Sequence, residues 1–265
     1  MPGMVHIVGA GPGAVDLLTL RAAAIIRAAD VVLHDDLVPS DILSLAPGTA
    51  QIISVGKRCG SRANSQDKIH ALMVWHAENG SDVVRLKSGD PAIFGRLGEE
   101  IEALRRARVP FEVVPGVTAA SAAASAAGIT LTDRRAASTL VLATAHTCRA
   151  EGALFTAPGA SAERTTFAVY MPGPDYSRTA QELINTGLDA NTPCVLVSQA
   201  SRSTQQICYL TISDLPFALG VTAPAALIVG EVARQPKFQP QFPAITNLLE
   251  EKYEPVVSRN QNPPY

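Results

Sequence analysis

Three times within the first hundred residues a short apolar run ends in a glycine-rich turn. Val5-His6-Ile7-Val8 leads into Gly9-Ala10-Gly11-Pro12-Gly13, and Ile52-Ile53-Ser54-Val55 into Gly56-Lys57-Arg58. Val83-Val84-Arg85-Leu86 leads into Lys87-Ser88-Gly89-Asp90-Pro91-Ala92-Ile93-Phe94-Gly95-Arg96. Runs of this kind, alternating with helical patterns, specify a mostly parallel α/β sheet. Ligands of such sheets bind beyond the carboxyl ends of the strands, where each of these turns falls. The order predicts one ligand pocket assembled from several strand ends.

The same periodicities place helices over 17–29, 41–45, 65–79, 98–108 and 118–127, with Ser65 as an N-cap, and strands over 31–33 and 111–114. The run Glu99-Glu100-Ile101-Glu102-Ala103-Leu104-Arg105-Arg106 reads as a solvated helix face. After a connector at 129–135, further strands are expected over 139–143, 166–171, 194–198 and 226–229, with 206–211 as a hairpin strand. This divides the chain into an N-terminal α/β domain over 1–129, a second α/β domain over 130–234 and a Pro- and Gln-rich tail over 235–265.

A chain of 265 residues, 47% hydrophobic and 17% charged, can bury a sizeable core. A formal charge of −2 lacks the basic excess of a general nucleic-acid binder. Cys59, Cys148, Cys194 and Cys208 form no CxxC pair and suit no zinc site. They are expected to be buried or partly buried free thiols in a reducing compartment, and no metal is expected. The N-terminus lacks a signal-peptide pattern, and no apolar run reaches the roughly 20 residues that span a bilayer. These features predict a soluble, cytoplasmic protein with neither nucleic acid nor membrane as partner.

Gly9-x-Gly11-x-x-Ala14, with Asp35 about 20 residues on, matches the dinucleotide fingerprint and allows an NAD or FAD oxidoreductase. Pro12-Gly13 makes a stiff turn instead of a smooth helix entry, and Lys57 and Gly89-Asp90-Pro91 have no role in that fingerprint. Taken singly, Asp35 is equally a turn or capping residue, Lys57 a solvated charge, Asp90 a helix N-cap and Met171 core packing.

A longer set of motifs resembles the tetrapyrrole methylases over about residues 4–234. It comprises Val8-Gly9-Ala10-Gly11-Pro12-Gly13 with Leu17-Leu18-Thr19-Leu20, Ala29-Asp30-Val31-Val32-Leu33-His34-Asp35, Val55-Gly56-Lys57-Arg58 and the run Lys87 to Glu100. Pro115-Gly116-Val117-Thr118-Ala119-Ala120, Gly128-Ile129-x-Leu131-Thr132, Val169-Tyr170-Met171 and the run Pro224 to Val232 complete it. The resemblance implies two α/β domains of the tetrapyrrole methylase type with a ligand cleft between them. It implies S-adenosylmethionine as methyl donor and S-adenosylhomocysteine as product, held by Pro12, Ser88, Gly89, Asp90, Ile93, Thr118, Ala119, Met171, Ala200 and Ala225. It casts Asp35 as proton acceptor and Lys57 as proton donor in C-methylation of uroporphyrinogen III at carbons two and seven, giving precorrin-2 for sirohaem and cobalamin. Such an octacarboxylate needs local cations; Arg58, Arg96 and Arg134 are the binding candidates, with Lys57, Arg62, Lys87 and Arg135 beside them. A homodimer is implied as well. His34, Asp36, Ser88, Ala126, Asp133, Ala145 and Ala200 depart from the family pattern. The departures weigh more on the acceptor half than on the donor half, and another tetrapyrrole or precorrin is the alternative acceptor. A module that keeps only the donor site is a further alternative.

Overall fold

Strands without a polar face must be covered on both sides, and the first sheet is. The computed structural model describes residues 2–56, 66–145, 161–173, 176–218 and 220–234. Strands β1 (Val5–Gly9), β2 (Val31–His34), β3 (Gln51–Ser54), β4 (Val83–Lys87) and β5 (Phe111–Val114) form a wholly parallel sheet ordered β3-β2-β4-β1-β5. Helices α1 (Leu20–Arg27) and α2 (Ser40–Leu43) close one face, where Ala22, Ile26 and Ile42 pack on Val8, Val32, Val84 and Leu86. Helices α3 (Gln66–Glu78) and α4 (Leu97–Ala107) close the other, where Ile69, Met73 and Leu104 meet Val5, Ile7, Val31, Leu33 and Val83. Alternation along the strands puts Arg85 and Lys87 on the same face as Val83, under α4.

The second sheet is mixed. Strands β6 (Thr139–Thr144), β7 (Thr165–Tyr170), β8 (Pro193–Ser198), β9 (Gln206–Thr211) and β10 (Ala225–Val229) run in the order β6-β7-β10-β8-β9. Only β6 and β7 are parallel; the other pairs are antiparallel. Helix α5 (Ala119–Ala127) follows β5 in the chain yet packs on this sheet, with Ala123, Ala124 and Ala127 against Val195, Val197 and Ile228. Its small side chains let the helix lie close to the strands, with its first residue at the cleft between the sheets. Helix α6 (Tyr176–Asn185) covers the opposite face through Tyr176, Ala180 and Leu183.

Several expectations change. Helix α1 begins at Leu20, not at Leu17, because Thr19 caps it by accepting the Ala22 N–H at 3.1 Å; Val15–Leu17 is a separate 3-10 turn. Helix α6 had no counterpart in the sequence reading. Its buried residues Tyr176, Thr179, Ala180 and Leu183 recur at i, i+3, i+4 and i+7, a helical stripe that the reading passed over. Lys57, Arg58, Cys59, Arg62, the Ser65 cap, Cys148 and the tail lie outside the described residues. No helix among the described residues is long and apolar enough to cross a membrane.

The two described thiols differ. Cys194 is buried, and burial, with Asp214 and Cys208 adding to it, pushes its thiol up to about 12. Cys208 is exposed, against the expectation of at least partial burial, because β9 is an outer strand and this residue faces solvent. The thiolate is the reactive form. Treatment of the folded chain with a maleimide at neutral pH, followed by peptide mass mapping, is therefore expected to label Cys208 and spare Cys194 until the protein is denatured. Labelling of Cys194 in the folded chain would contradict its burial.

Candidate active site

The turns after β1, β4 and β5 meet backbone to backbone. A Cβ on Gly9 would sit 2.6 Å from the Gly116 nitrogen and 2.7 Å from the Gly89 carbonyl oxygen. One on Gly116 would collide with that same carbonyl. Gly89 donates its N–H to the Gly11 carbonyl at 2.7 Å and accepts the Gly11 N–H at 3.2 Å. Asp90 secures the junction, its carboxylate accepting the N–H of Ala92 at 2.8 Å and of Gly116 at 3.1 Å. Only glycines allow strand ends to approach this closely.

This junction forms one wall of a narrow cavity of about 50 Å³, lined by Pro12, Ser88, Gly89, Ala119, Val197, Ala200, Pro224, Ala225 and Ala226. Six of the residues that the resemblance assigns to the donor thus converge from both sheets. A Cβ on Gly89 would meet nothing within 4 Å, so its Cα faces open space. Small apolar walls and exposed backbone suit a nucleoside with an amino-acid tail, so the residues present fit S-adenosylmethionine. Tyr170 gathers the others: its hydroxyl bonds Thr118 Oγ1 at 2.7 Å, and Ile93 packs against it. Met171 follows at the end of β7, half exposed. Phe94, Arg96, Met171, Gln199 and Ser201 all hold positive φ. Such non-glycine strain gathers at binding sites.

The loop after β8 joins the two halves. Ser201 Oγ accepts the Ala14 N–H at 3.2 Å, and Arg202 Nη2 donates to the Leu37 carbonyl at 2.7 Å. Gly13 makes room for that guanidinium, since a Cβ there would lie 2.7 Å from Arg202 Nε.

Asp35 opens into a second pocket of about 200 Å³, whose walls include Gly56, Arg85, Lys87, Phe94 and Arg96. Arg85 Nη2 donates to Asp35 Oδ1 at 2.5 Å. Burial, the largest influence, works against the charge of Arg85, yet Asp35 and Glu100 together hold its pKa above the ordinary value. Lys87, expected as a free cation for an acidic ligand, is instead buried and donates to Glu100 Oε1 at 3.0 Å. Burial, reinforced by Arg85, pulls its pKa down, with Glu100 and Asp35 opposing. Glu100 corrects the reading of its helix as a solvated face. It is 0% exposed, because it shares the inward stripe of α4 with Leu104 and meets two cations there.

The other candidates are scattered. Arg96 lies on the pocket wall and grips Glu99 at 2.8 and 2.6 Å. Arg134 is exposed, and its carbonyl faces Arg164 at the start of β7, at the opposite end of that strand from Met171. Arg135 holds the Asp133 carboxyl down at about 2 by direct hydrogen bonds. Of the departures, His34 Nδ1 contacts the Asp35 carbonyl at 3.0 Å, and Asp36 accepts from Ser54 Oγ at 3.3 Å.

Arg85, Glu100, Tyr170 and Arg202 were missed as site residues. Arg85 carried a usable signal, a cation in the middle of a buried strand, flanked by Val84 and Leu86. For Glu100 the only cue was its i, i+4 spacing to Leu104. The dinucleotide alternative fails on geometry, since the first helix starts at Leu20 and offers no N-terminus to a phosphate at Gly9–Gly13.

A family model described as tetrapyrrole (corrin/porphyrin) methylases matches residues 4–216. "Siroheme synthase 1" of Yersinia enterocolitica is 44% identical over 231 residues, 87% of this chain and 49% of its own length. The chain therefore spans about half the length of that curated relative. "Uroporphyrinogen-III C-methyltransferase" of Paracoccus denitrificans is 42% identical over 234 residues, 87% of this chain and 82% of that one. A Thermus thermophilus uroporphyrin-III C-methyl transferase, solved in complex with S-adenyl homocysteine, superposes with a TM-score of 0.71 at 35% identity. It covers 88% of this chain and 94% of its own.

Proposed function

The chain belongs to the tetrapyrrole methylase family, and on that premise we propose that it transfers methyl groups from S-adenosylmethionine to carbons two and seven of uroporphyrinogen III, giving precorrin-2. The observation that carries the reading is the convergence of Pro12, Ser88, Gly89, Ala119, Ala200 and Ala225 on one cavity next to the pocket that holds Asp35. The relatives named for this substrate, and the one solved with S-adenyl homocysteine, support it.

The bound donor supplies an electrophilic sulfonium methyl. The chain's own task is to hold the attacking ring carbon in line with it and to manage protons. Ser88, Gly89, Asp90, Ile93, Thr118, Ala119, Met171, Ala200, Ala225 and Pro12 are the proposed donor contacts, with Asp90 acting through the junction it ties together. Asp35 is the proposed proton acceptor. Among the described residues only Arg85 bonds its carboxylate, through Oδ1. Lys57, three residues beyond the end of β3 at Ser54, is the proposed proton donor, and Arg58, Arg96 and Arg134 are the proposed carboxylate grips. The N-terminal domain over 1–129, with the second over 130–234, remains the proposed division, α5 serving as the piece of the first that packs on the second. A cytoplasmic homodimer completes the proposal. Free Cys194 and Cys208 suit a reducing compartment, and exposed Leu20, Trp75 and Phe217 are apolar surface of the kind that subunit contacts cover.

The test is anaerobic incubation of the chain with uroporphyrinogen III and methyl-labelled S-adenosylmethionine, with mass analysis of the tetrapyrrole. Two added methyl groups are expected. Absence of label in the tetrapyrrole while S-adenosylhomocysteine still binds would move the search to another acceptor. Binding of NAD in its place would overturn the reading.

A further inference from the structure

We propose that Glu100 is a positioning residue: through Arg85 it fixes the Asp35 carboxylate at the edge of the pocket, and this buried cluster of charges serves that geometry and not stability. The inference rests on the proposed methyl transfer for the part played by Asp35, while its geometric half stands apart from it.

Four charged groups form a chain from the helix to the pocket. Glu100, 0% exposed, directs one oxygen, Oε1, at both Arg85 Nε (2.9 Å) and Lys87 Nζ (3.0 Å). Arg85 is buried, and each of its three nitrogens is engaged in a different direction. Nε meets Glu100, Nη1 donates to the carbonyls of Leu86 at 3.2 Å and Leu33 at 3.4 Å, and Nη2 meets Asp35 at 2.5 Å. A planar guanidinium gripped on all sides has one orientation. Asp35, with a side chain 32% exposed, is the member open to the pocket. Two acids and two bases leave the cluster formally neutral.

Stability is a poor reason for such a cluster. Buried ion clusters recover little of their desolvation cost, and apolar replacements of similar volume are often neutral or stabilising. Here the cost is raised further, since Glu100 Oε2 is buried with no hydrogen-bond partner among the described residues. What the arrangement does achieve is placement. Glu100 holds Lys87 back in the wall, where Gly95 leaves space for its Cε, and turns the remaining arm of Arg85 outward to Asp35. Because α4 carries Glu100 and directly follows the turn Lys87 to Arg96, the segment that lines the donor cavity also sets the angle of Asp35.

The experiment is Glu100→Leu in the full chain, which removes both the charge and the oxygen that holds Arg85 Nε. Two readouts are taken: the Arg85–Asp35 contact in a crystal structure of the variant, and kcat and KM for methyl transfer with S-adenosylhomocysteine affinity. The expected result is loss of the Arg85 Nη2–Asp35 Oδ1 hydrogen bond, with kcat falling roughly tenfold to a hundredfold while donor KM and S-adenosylhomocysteine affinity stay unchanged. A retained contact overturns the proposal whatever happens to the rate, and a lost contact with unchanged kcat overturns its functional half. Should the unmodified chain methylate no tetrapyrrole, the proposed function fails and the contact alone decides the geometry. If Glu100→Leu alone does not fold, the charge-balanced pair Lys87→Met with Glu100→Leu leaves Arg85 facing Asp35 alone. The same contact is then read, and its persistence overturns the proposal.

Discussion

Asp35→Asn is expected to slow methyl transfer by roughly a hundredfold to ten-thousandfold, the range that a positioned proton acceptor contributes, with S-adenosylhomocysteine affinity unchanged. Asparagine keeps the volume and one carbonyl oxygen for Arg85 Nη2, which now bonds Asp35 Oδ1 at 2.5 Å. It removes the basic oxygen that would take the proton lost elsewhere on the macrocycle as conjugation is restored, the methylated carbon itself carrying none. The cavity proposed for the donor is lined by other residues, so isothermal titration with S-adenosylhomocysteine should give the affinity of the unmodified chain. Arg85 would lose one of its two carboxylate partners but keep Glu100 and two carbonyls, and the melting temperature should fall modestly. An Asp35→Asn enzyme that turns over at the unmodified rate would remove Asp35 from the chemistry. One that loses donor binding would mean the two pockets are one.

The second large effect separates two glycines of one junction. Gly9→Ala is expected to cost about 3 kcal/mol or to prevent folding, at the upper end of what overpacking a core does. Its new Cβ would meet the Gly116 nitrogen, the Gly116 Cα and the Gly89 carbonyl at 2.6, 2.7 and 2.7 Å. These are backbone atoms just past the ends of two neighbouring strands, β4 and β5, with no rotamer to yield. Gly89→Ala meets no atom within 4 Å and pays only for its left-handed φ of +69°, about 1 kcal/mol. That variant should fold, yet its methyl group would enter the donor cavity, and S-adenosylhomocysteine affinity should drop more than about tenfold, a change of about 1.4 kcal/mol. Thermal unfolding and calorimetric titration of the two variants check both halves. Unweakened binding by Gly89→Ala would place the donor elsewhere.

The residues show where reading from sequence holds and where it ends. Strands β1, β5 and β9 fall on their expected bounds, because a buried or edge strand announces itself by local periodicity and by the turn that stops it. The junction glycines were legible for the same reason: Gly9, Gly11 and Gly89 each close an apolar run, and a turn is a local event. Glu100 was misplaced because charge is a good local sign of exposure and fails where a distant cation waits. Arg85 and Lys87 lie on β4, and nothing in the run Glu99 to Arg106 reports that α4 will fold back over them. The mixed pairing of the second sheet and the seat of α5 on it were equally out of reach.

Local patterning is enough to specify the parallel first sheet and its turns, since each depends on neighbours a few positions away. Long-range packing sets which turns touch, brings Arg202 across to Leu37, seats Arg134 at the start of β7 and holds Asp35 with a buried chain of charge. Those contacts join residues from 13 to 165 positions apart, and the free energy of a buried ion pair depends on its partner and its desolvation, neither of which is written at its own position.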